Sequence, residues 1–196
     1  MVKRLFDILA SSLGLLLLGP LFICLAIAVK VDSSGPFLYR QIRIGRNQRP
    51  FSLLKFRSMA IGSDTKGLLT VGGRDSRITR VGYFIRKYKL DELPQLLNVL
   101  KGDMSLVGPR PEVARYVAMY SADQLRVLSV RPGITDYASL KYFSENEMLA
   151  ASENPEKTYI EEIMPSKLKI NLDYVDNRSL FTDIKIVLLT LAKIIN

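Results

Sequence analysis

An α+β fold, predominantly helical and fixed to a membrane through its N-terminal segment, is predicted by three observations. An uncharged apolar run of 22 residues lies near the N-terminus, a stretch patterned as a β-hairpin follows it, and the second half carries repeated helix-start signals. With 196 residues, 48% apolar and 24% charged, the chain has material for one domain over 1–196 and is too hydrophobic for long-range disorder. The absence of His removes Ser-His-Asp and Cys-His nucleophile systems and the usual zinc sites, which need an imidazole. Any chemistry here falls to carboxylates and cations. Cys24 has no partner for an internal disulfide and reads as a packed or lipid-facing thiol.

The apolar run, Ile8 to Val29, is long enough to cross a hydrocarbon core, which needs about 20 helical residues. Gly19 and Pro20 fall near its middle, where a proline removes a backbone hydrogen bond and a kink is expected. Lys3 and Arg4 precede the run, and Lys30, Arg40, Arg43 and Arg46 follow it, so both ends favour the cytoplasmic side. The charge pattern favours a proline-broken, re-entrant helix over residues 1–30, with residues 31–196 on one face of the membrane. A straight span, a cleaved leader ending near Ala26-Ile27-Ala28 and a buried core helix are the alternatives.

Residues 36–58 read as a hairpin, with runs at Phe37 to Ile44 and Phe51 to Phe56 and a turn at Gly45-Arg46-Asn47-Gln48. Gly62 to Ser76 reads as a mobile loop. Arg80 to Lys89 suits a short basic helix. Asp91 stands where an N-cap is expected, with Pro94 in the first turn of a helix reaching Leu100 and stopping at Lys101-Gly102. Pro109-Arg110-Pro111 forms a stiff elbow before a helix from Glu112. Ser144 to Glu147 has capping-box spacing, and Asn154-Pro155 resembles an N-cap with proline at the first helical position. Leu180 to Ile195, apolar around most of its circumference, predicts an interfacial helix against the bilayer or a core helix.

The formal net charge of +9 is uneven: +7 over residues 1–60, +4 over 61–115 and −2 over 116–196. The basic half lies beside the apolar anchor, which suits an anionic membrane surface or a phosphate-bearing small molecule; no nucleic-acid-binding signature is present. Within it, Arg86-Lys87-Tyr88-Lys89-Leu90-Asp91-Glu92 places two adjacent carboxylates behind three cations. Such a site attracts an anion and favours an ionised carboxylate, which can attack phosphorus; an acidic cap beside a solvated basic turn is the bland alternative. Arg110, held between two prolines, suits bidentate contact with phosphate or a base edge. Arg131-Pro132-Gly133 repeats the theme more weakly.

Three segments carry a resemblance: Lys55-Phe56-Arg57-Ser58-Met59, Asp75 to Gly82, and above all the run from Leu90-Asp91-Glu92-Leu93-Pro94 through Leu97-Asn98-Val99 and Gly102-Asp103-Met104 to Gly108-Pro109-Arg110-Pro111-Glu112. Over nearly its whole length the chain resembles the bacterial sugar transferases, monotopic polyprenyl-phosphate phosphoglycosyltransferases, in their minimal catalytic form. That resemblance implies a two-step transfer at the cytoplasmic face of the bacterial inner (cytoplasmic) membrane. Asp91 attacks the β-phosphate of a UDP-sugar and releases UMP, and polyprenyl phosphate (undecaprenyl phosphate) then takes the sugar phosphate. It further implies that Glu92 assists, that magnesium (Mg2+) binds with Asp91 and the diphosphate, that Arg86 holds phosphate, and that Pro109, Arg110 and Pro111 meet the nucleotide. Family members carry a re-entrant helix broken at the place of Gly19 and Pro20.

The pattern departs after Thr135. Many members continue with Gly-Trp-Ala-Gln and a following Asn-Gly-Arg, whereas this chain has Asp136-Tyr137-Ala138-Ser139-Leu140-Lys141-Tyr142 and no Trp. This region is expected to contact the sugar or nucleotide. The alternatives are a membrane-anchored protein that holds anions or lipid without turnover, and a single-step transferase in which Asp91 and Glu92 serve only as metal ligands.

Overall fold

The computed structural model describes residues 2–63, 67, 69–72 and 75–195. In chain order the elements are helix α1 (Val2–Asp32), strands β1 (Leu38–Ile44) and β2 (Pro50–Phe56), helices α2 (Arg80–Lys87) and α3 (Gln95–Lys101), strand β3 (Ser105–Val107), helix α4 (Ala114–Val117), strand β4 (Gly133–Thr135), and helices α5 (Tyr137–Lys141), α6 (Glu145–Ala150), α7 (Pro155–Thr158), α8 (Met164–Asn177) and α9 (Leu180–Ile195). The molecule is therefore mostly helical with two small sheets, matching the predicted class.

α1 is one continuous helix that passes through Gly19 and Pro20. Proline has no N–H, so the Leu16 carbonyl four residues earlier loses its ladder donor. The helix is apolar and long enough to cross a membrane, and Leu9, Leu13, Leu16, Leu17, Ile23, Ile27 and Val31 remain 56–83% exposed. Both of its ends are fastened to the same body. At the start, Arg4 donates from Nη1 to Val99 O (2.6 Å) and from Nη2 to Leu100 O (3.0 Å), closing the carbonyl end of α3. Asp7, buried, accepts from Ser105 Oγ and Leu106 N, both at 3.1 Å, and Lys3 donates to Val107 O and pairs with buried Asp183 of α9. At the far end, buried Arg57 donates to the carbonyls of Val29, Ser33 and Ser34, while Asp32 Oδ2 accepts from Val81 N (3.0 Å). Between these ties, Leu25 and Val29 pack with Phe56 and Ile85, against Leu90 and Leu93.

β1 and β2 form the expected antiparallel hairpin, Leu38 opposite Phe56 and Ile44 opposite Pro50, across a turn with Asn47 and Gln48 in the left-handed region. The other edge of β2 is met by a side chain. Asn98 accepts from Leu54 N (3.0 Å) and donates to Ser52 O (2.8 Å), so one amide does the work of a third strand. β3 and β4 pair in parallel, with Ser105 opposite Gly133. A Cβ on Gly133 would lie 2.1 Å from Gly108 N, so this approach admits only glycine and locks the Pro109-Arg110-Pro111 elbow onto Arg131-Pro132-Gly133. Gly82 is constrained alike, its missing Cβ lying 2.0 Å from Ser58 O.

Three local expectations change, and a fourth lies partly outside the described residues. Asp91 is not a helix N-cap: Lys89 takes a left-handed conformation (φ 56°), Leu90–Glu92 form a 3-10 turn, and Pro94 occupies the cap position of α3. The helix expected from Glu112 starts at Ala114, because Glu112 bridges to Ile44 and accepts from Val113 N. Ser144 precedes α6 without a side-chain cap bond, so the capping box does not form, whereas Asn154 caps α7 by accepting from Lys157 N (3.1 Å). The loop expected over Gly62 to Ser76 falls partly on residues 64–66, 68, 73 and 74, outside the described residues. In its described part Arg77 pairs with Asp75 and donates to the carbonyls of Ser63, Gly67 and Leu69.

Candidate active site

The turn Leu90–Glu92 joins the basic helix α2 to α3 and rests through Leu90 and Leu93 on the second half of α1. Its two carboxylates meet opposite fates. Glu92 is fully committed: Lys55 Nζ donates to Oε1 (3.0 Å), and Arg110 forks onto both oxygens, with Nη1 to Oε2 at 3.1 Å and Nη2 to Oε1. Burial pushes the Glu92 carboxyl up, but Arg110 and Lys55 outweigh it and hold the group well below the usual carboxylate range. Asp91, 5% exposed, accepts no hydrogen bond on its carboxylate among the described residues. Burial raises its carboxyl above the ordinary value, Glu92 adds to the rise, and Lys55, Arg86 and Lys89 oppose it. Burial thus opposes the ionising effect expected at Asp91, and the two carboxyls shift in opposite directions, Asp91 up and Glu92 down.

Arg86 comes from the last turn of α2. It donates to Thr70 Oγ1 (3.0 Å) and reaches Ser58 Oγ (3.5 Å), with no carboxylate within ion-pair distance among the described residues. Its charge is therefore available to an anion in front of Asp91. Arg110 is brought to the same site by the locked elbow. Its backbone N–H donates to Oδ2 of Asp136 (2.8 Å), whose Oδ1 caps α5 through Ser139 N. The chain after Thr135, where the pattern departs, thus fixes the backbone of Arg110. Arg131 is elsewhere, donating to Gly102 O (2.8 Å). The cavity lined by Pro109, Pro111, Tyr159 and Asn171 has room for little more than a water.

The bacterial sugar transferase model matches residues 1–196. The chain belongs to that family. This sugar transferase is 39% identical over 197 residues to a UDP-glucose:undecaprenyl-phosphate glucose-1-phosphate transferase of Escherichia coli, covering 98% of this chain and 40% of the relative. A protein of the same description from Caulobacter vibrioides is 38% identical over 196 residues, covering 98% and 69%. A UDP-N-acetylgalactosamine-undecaprenyl-phosphate N-acetylgalactosaminephosphotransferase of Aeromonas hydrophila is 37% identical over 199 residues, covering 99% and 44%.

The structure brings Asp91, Glu92, Arg86 and Arg110 into one neighbourhood, and sequence reasoning missed Lys55, Lys89 and Asp136 as members of it. Lys55 had a signal, since it opens Lys55-Phe56-Arg57-Ser58-Met59. In that segment Lys55 reaches Glu92, Phe56 enters the core, Arg57 closes the end of α1 and Ser58 faces Arg86. Asp136 had none, because its bond to Arg110 depends on the parallel pairing of β3 with β4.

Proposed function

We propose that this sugar transferase moves a sugar-1-phosphate from a UDP-sugar to a polyprenyl phosphate, through a phosphosugar ester on Asp91, at the cytoplasmic face of the bacterial inner membrane. The reading is carried by one observation: a buried carboxylate that accepts no hydrogen bond among the described residues feels three cations, Lys55, Arg86 and Lys89, and stands beside a second carboxylate that holds Lys55 and Arg110 in place. The relatives' names supply the donor and acceptor classes.

In the first step an Asp91 oxygen forms a bond to the β-phosphorus, the bond from that phosphorus to the bridging oxygen breaks, and UMP departs with the bridging oxygen. The raised affinity of Asp91 for protons makes it the stronger nucleophile once ionised. Arg86 and Lys55 balance the charge on the phosphoryl oxygens. In the second step an oxygen of polyprenyl phosphate attacks the same phosphorus and Asp91 leaves as a carboxylate. Glu92, held ionised, acts by positioning Lys55 and Arg110 rather than by carrying a proton, and Arg110 with Pro109 and Pro111 flanks the place of the nucleotide.

Magnesium fits the donor set. No cluster of three or more metal-ligating side chains exists among the described residues, but Mg2+ is commonly held by one or two carboxylates together with substrate phosphates. Asp91 has oxygens to offer, whereas those of Glu92 are taken. When bound, the ion would neutralise charge on the diphosphate and the leaving UMP.

The deciding experiment incubates detergent-solubilised protein and Mg2+ with a panel of UDP-sugars and no acceptor. The expected result is a burst of UMP equal to the enzyme, with a sugar-phosphate mass on the peptide containing Asp91. UMP that forms only after polyprenyl phosphate is added would contradict the covalent step.

The membrane arrangement follows from α1. With Lys3, Arg4 and Asp7 bound to the same body as Val29, Asp32 and Ser33, a straight crossing would have to pull one set of ties through lipid. These ties support the reading that the segment enters one leaflet and returns, bending at Gly19 and Pro20, which the continuous α1 carries near its middle. Cysteines placed at positions 2 and 32 should both react with a membrane-impermeant reagent from the cytoplasmic side of sealed vesicles; reaction from opposite sides would refute this.

A further inference from the structure

Two ammonium groups remote in sequence converge on one ring. Lys89 Nζ lies 5.0 Å and Lys193 Nζ 5.6 Å from the ring centroid of Phe143. Lys89 is two residues before Asp91, in the left-handed position that launches the catalytic turn. Lys193, exposed, lies in the last turn of α9, seven residues beyond fully buried Ile186 on a helix whose Phe181, Leu188 and Leu191 point outward. Neither lysine has a carboxylate within ion-pair distance among the described residues. A ring face offers each only about 0.5–1 kcal/mol, and the two like charges are left without a paired carboxylate, so the arrangement favours an anion that both can reach. Lys89 is partly withdrawn from water, which strengthens its attraction for such an anion.

We infer that Lys89, Phe143 and Lys193 form the seat of the acceptor's phosphate, a monoester dianion that enters along α9 from the lipid side. The inference rests on the transferase reading and deepens it, assigning the donor to Arg86, Lys55 and Arg110 and the acceptor to a separate pair of cations. Both substrates are phosphates, but only the acceptor is lipid-borne, and α9 alone of the elements at this seat turns apolar side chains outward alongside its cation.

The test is equilibrium binding of farnesyl phosphate, with farnesol as control, to the full chain in nanodiscs of zwitterionic lipid. Lys193→Gln and Phe143→Leu are compared with the wild type, since Lys193 is exposed and its loss leaves the core intact. Both variants are expected to bind farnesyl phosphate about tenfold more weakly, with farnesol and UDP binding unchanged. Weakened UDP binding would assign the lysines to the nucleotide and overturn the proposal, as would unchanged farnesyl phosphate binding. A difference present only in nanodiscs containing anionic phospholipid would make the pair a head-group site, which also overturns it. Because no turnover is read, failure here is distinct from absence of the UMP burst.

Discussion

Asp91→Asn is expected to lower the overall rate by at least about 10³-fold, to abolish the UMP burst, and to leave the melting temperature at or above that of the wild type. The loss follows because an amide cannot replace the carboxylate oxygen that bonds phosphorus. The retained fold follows from the lack of any donor on the Asp91 carboxylate among the described residues: substitution breaks no hydrogen bond and removes a buried charge. Burial raises the folded pKa of Asp91, so its ionisation opposes folding. The stability difference between variant and wild type should be absent below the ordinary value of 3.8 and open as pH rises through the folded value. Thermal scans across pH, paired with the burst assay, check both halves.

Glu92→Gln is expected to behave in the opposite way in stability, losing about 2–3 kcal/mol near neutral pH along with most of the activity. The amide keeps the size of the side chain but leaves Lys55 and Arg110 without the anion that both grip. Arg110 is a third exposed, so water recovers part of the loss. The folded pKa of Glu92 is depressed, so the stability it supplies is present above the ordinary value of 4.5 and lost as pH falls through the lower folded value. Denaturant titrations should show the two proteins converging in acid. A Glu92→Gln protein as stable as the wild type at pH 7 would remove the ion-pair role assigned to this residue.

The hairpin, the caps at Asn154 and Pro155 and the neighbourhood of Asp91 were legible because each is written in adjacent residues. What escaped was built from pairs far apart in the chain. β3 and β4 have three residues each, too short to show alternation, and a parallel pairing leaves no turn signal between them. Asp7 counts as one acid beside an apolar run, and only the fold shows it accepting from β3. Asp91 suggested a cap because Asp and Pro at that spacing suit one. The left-handed turn at Lys89 shifted the helix start by several residues, at a backbone cost usual where function over-determines conformation. Burial, which no sequence pattern shows, raises the Asp91 carboxyl, so the ionised carboxylate expected there is opposed.

On the proposed arrangement, the turn that carries Asp91 rests on the second half of the helix that enters lipid, and this gives the protein a draught, as a hull has. A helix rises about 1.5 Å per residue, so the depth at which Leu16 and Leu17 float sets how far above the hydrocarbon Asp91 rides. A polyprenyl phosphate is moored at that same waterline by its tail. Bilayer thickness is then a setting of the chemistry, bringing the two reacting oxygens level or leaving one stranded above the other.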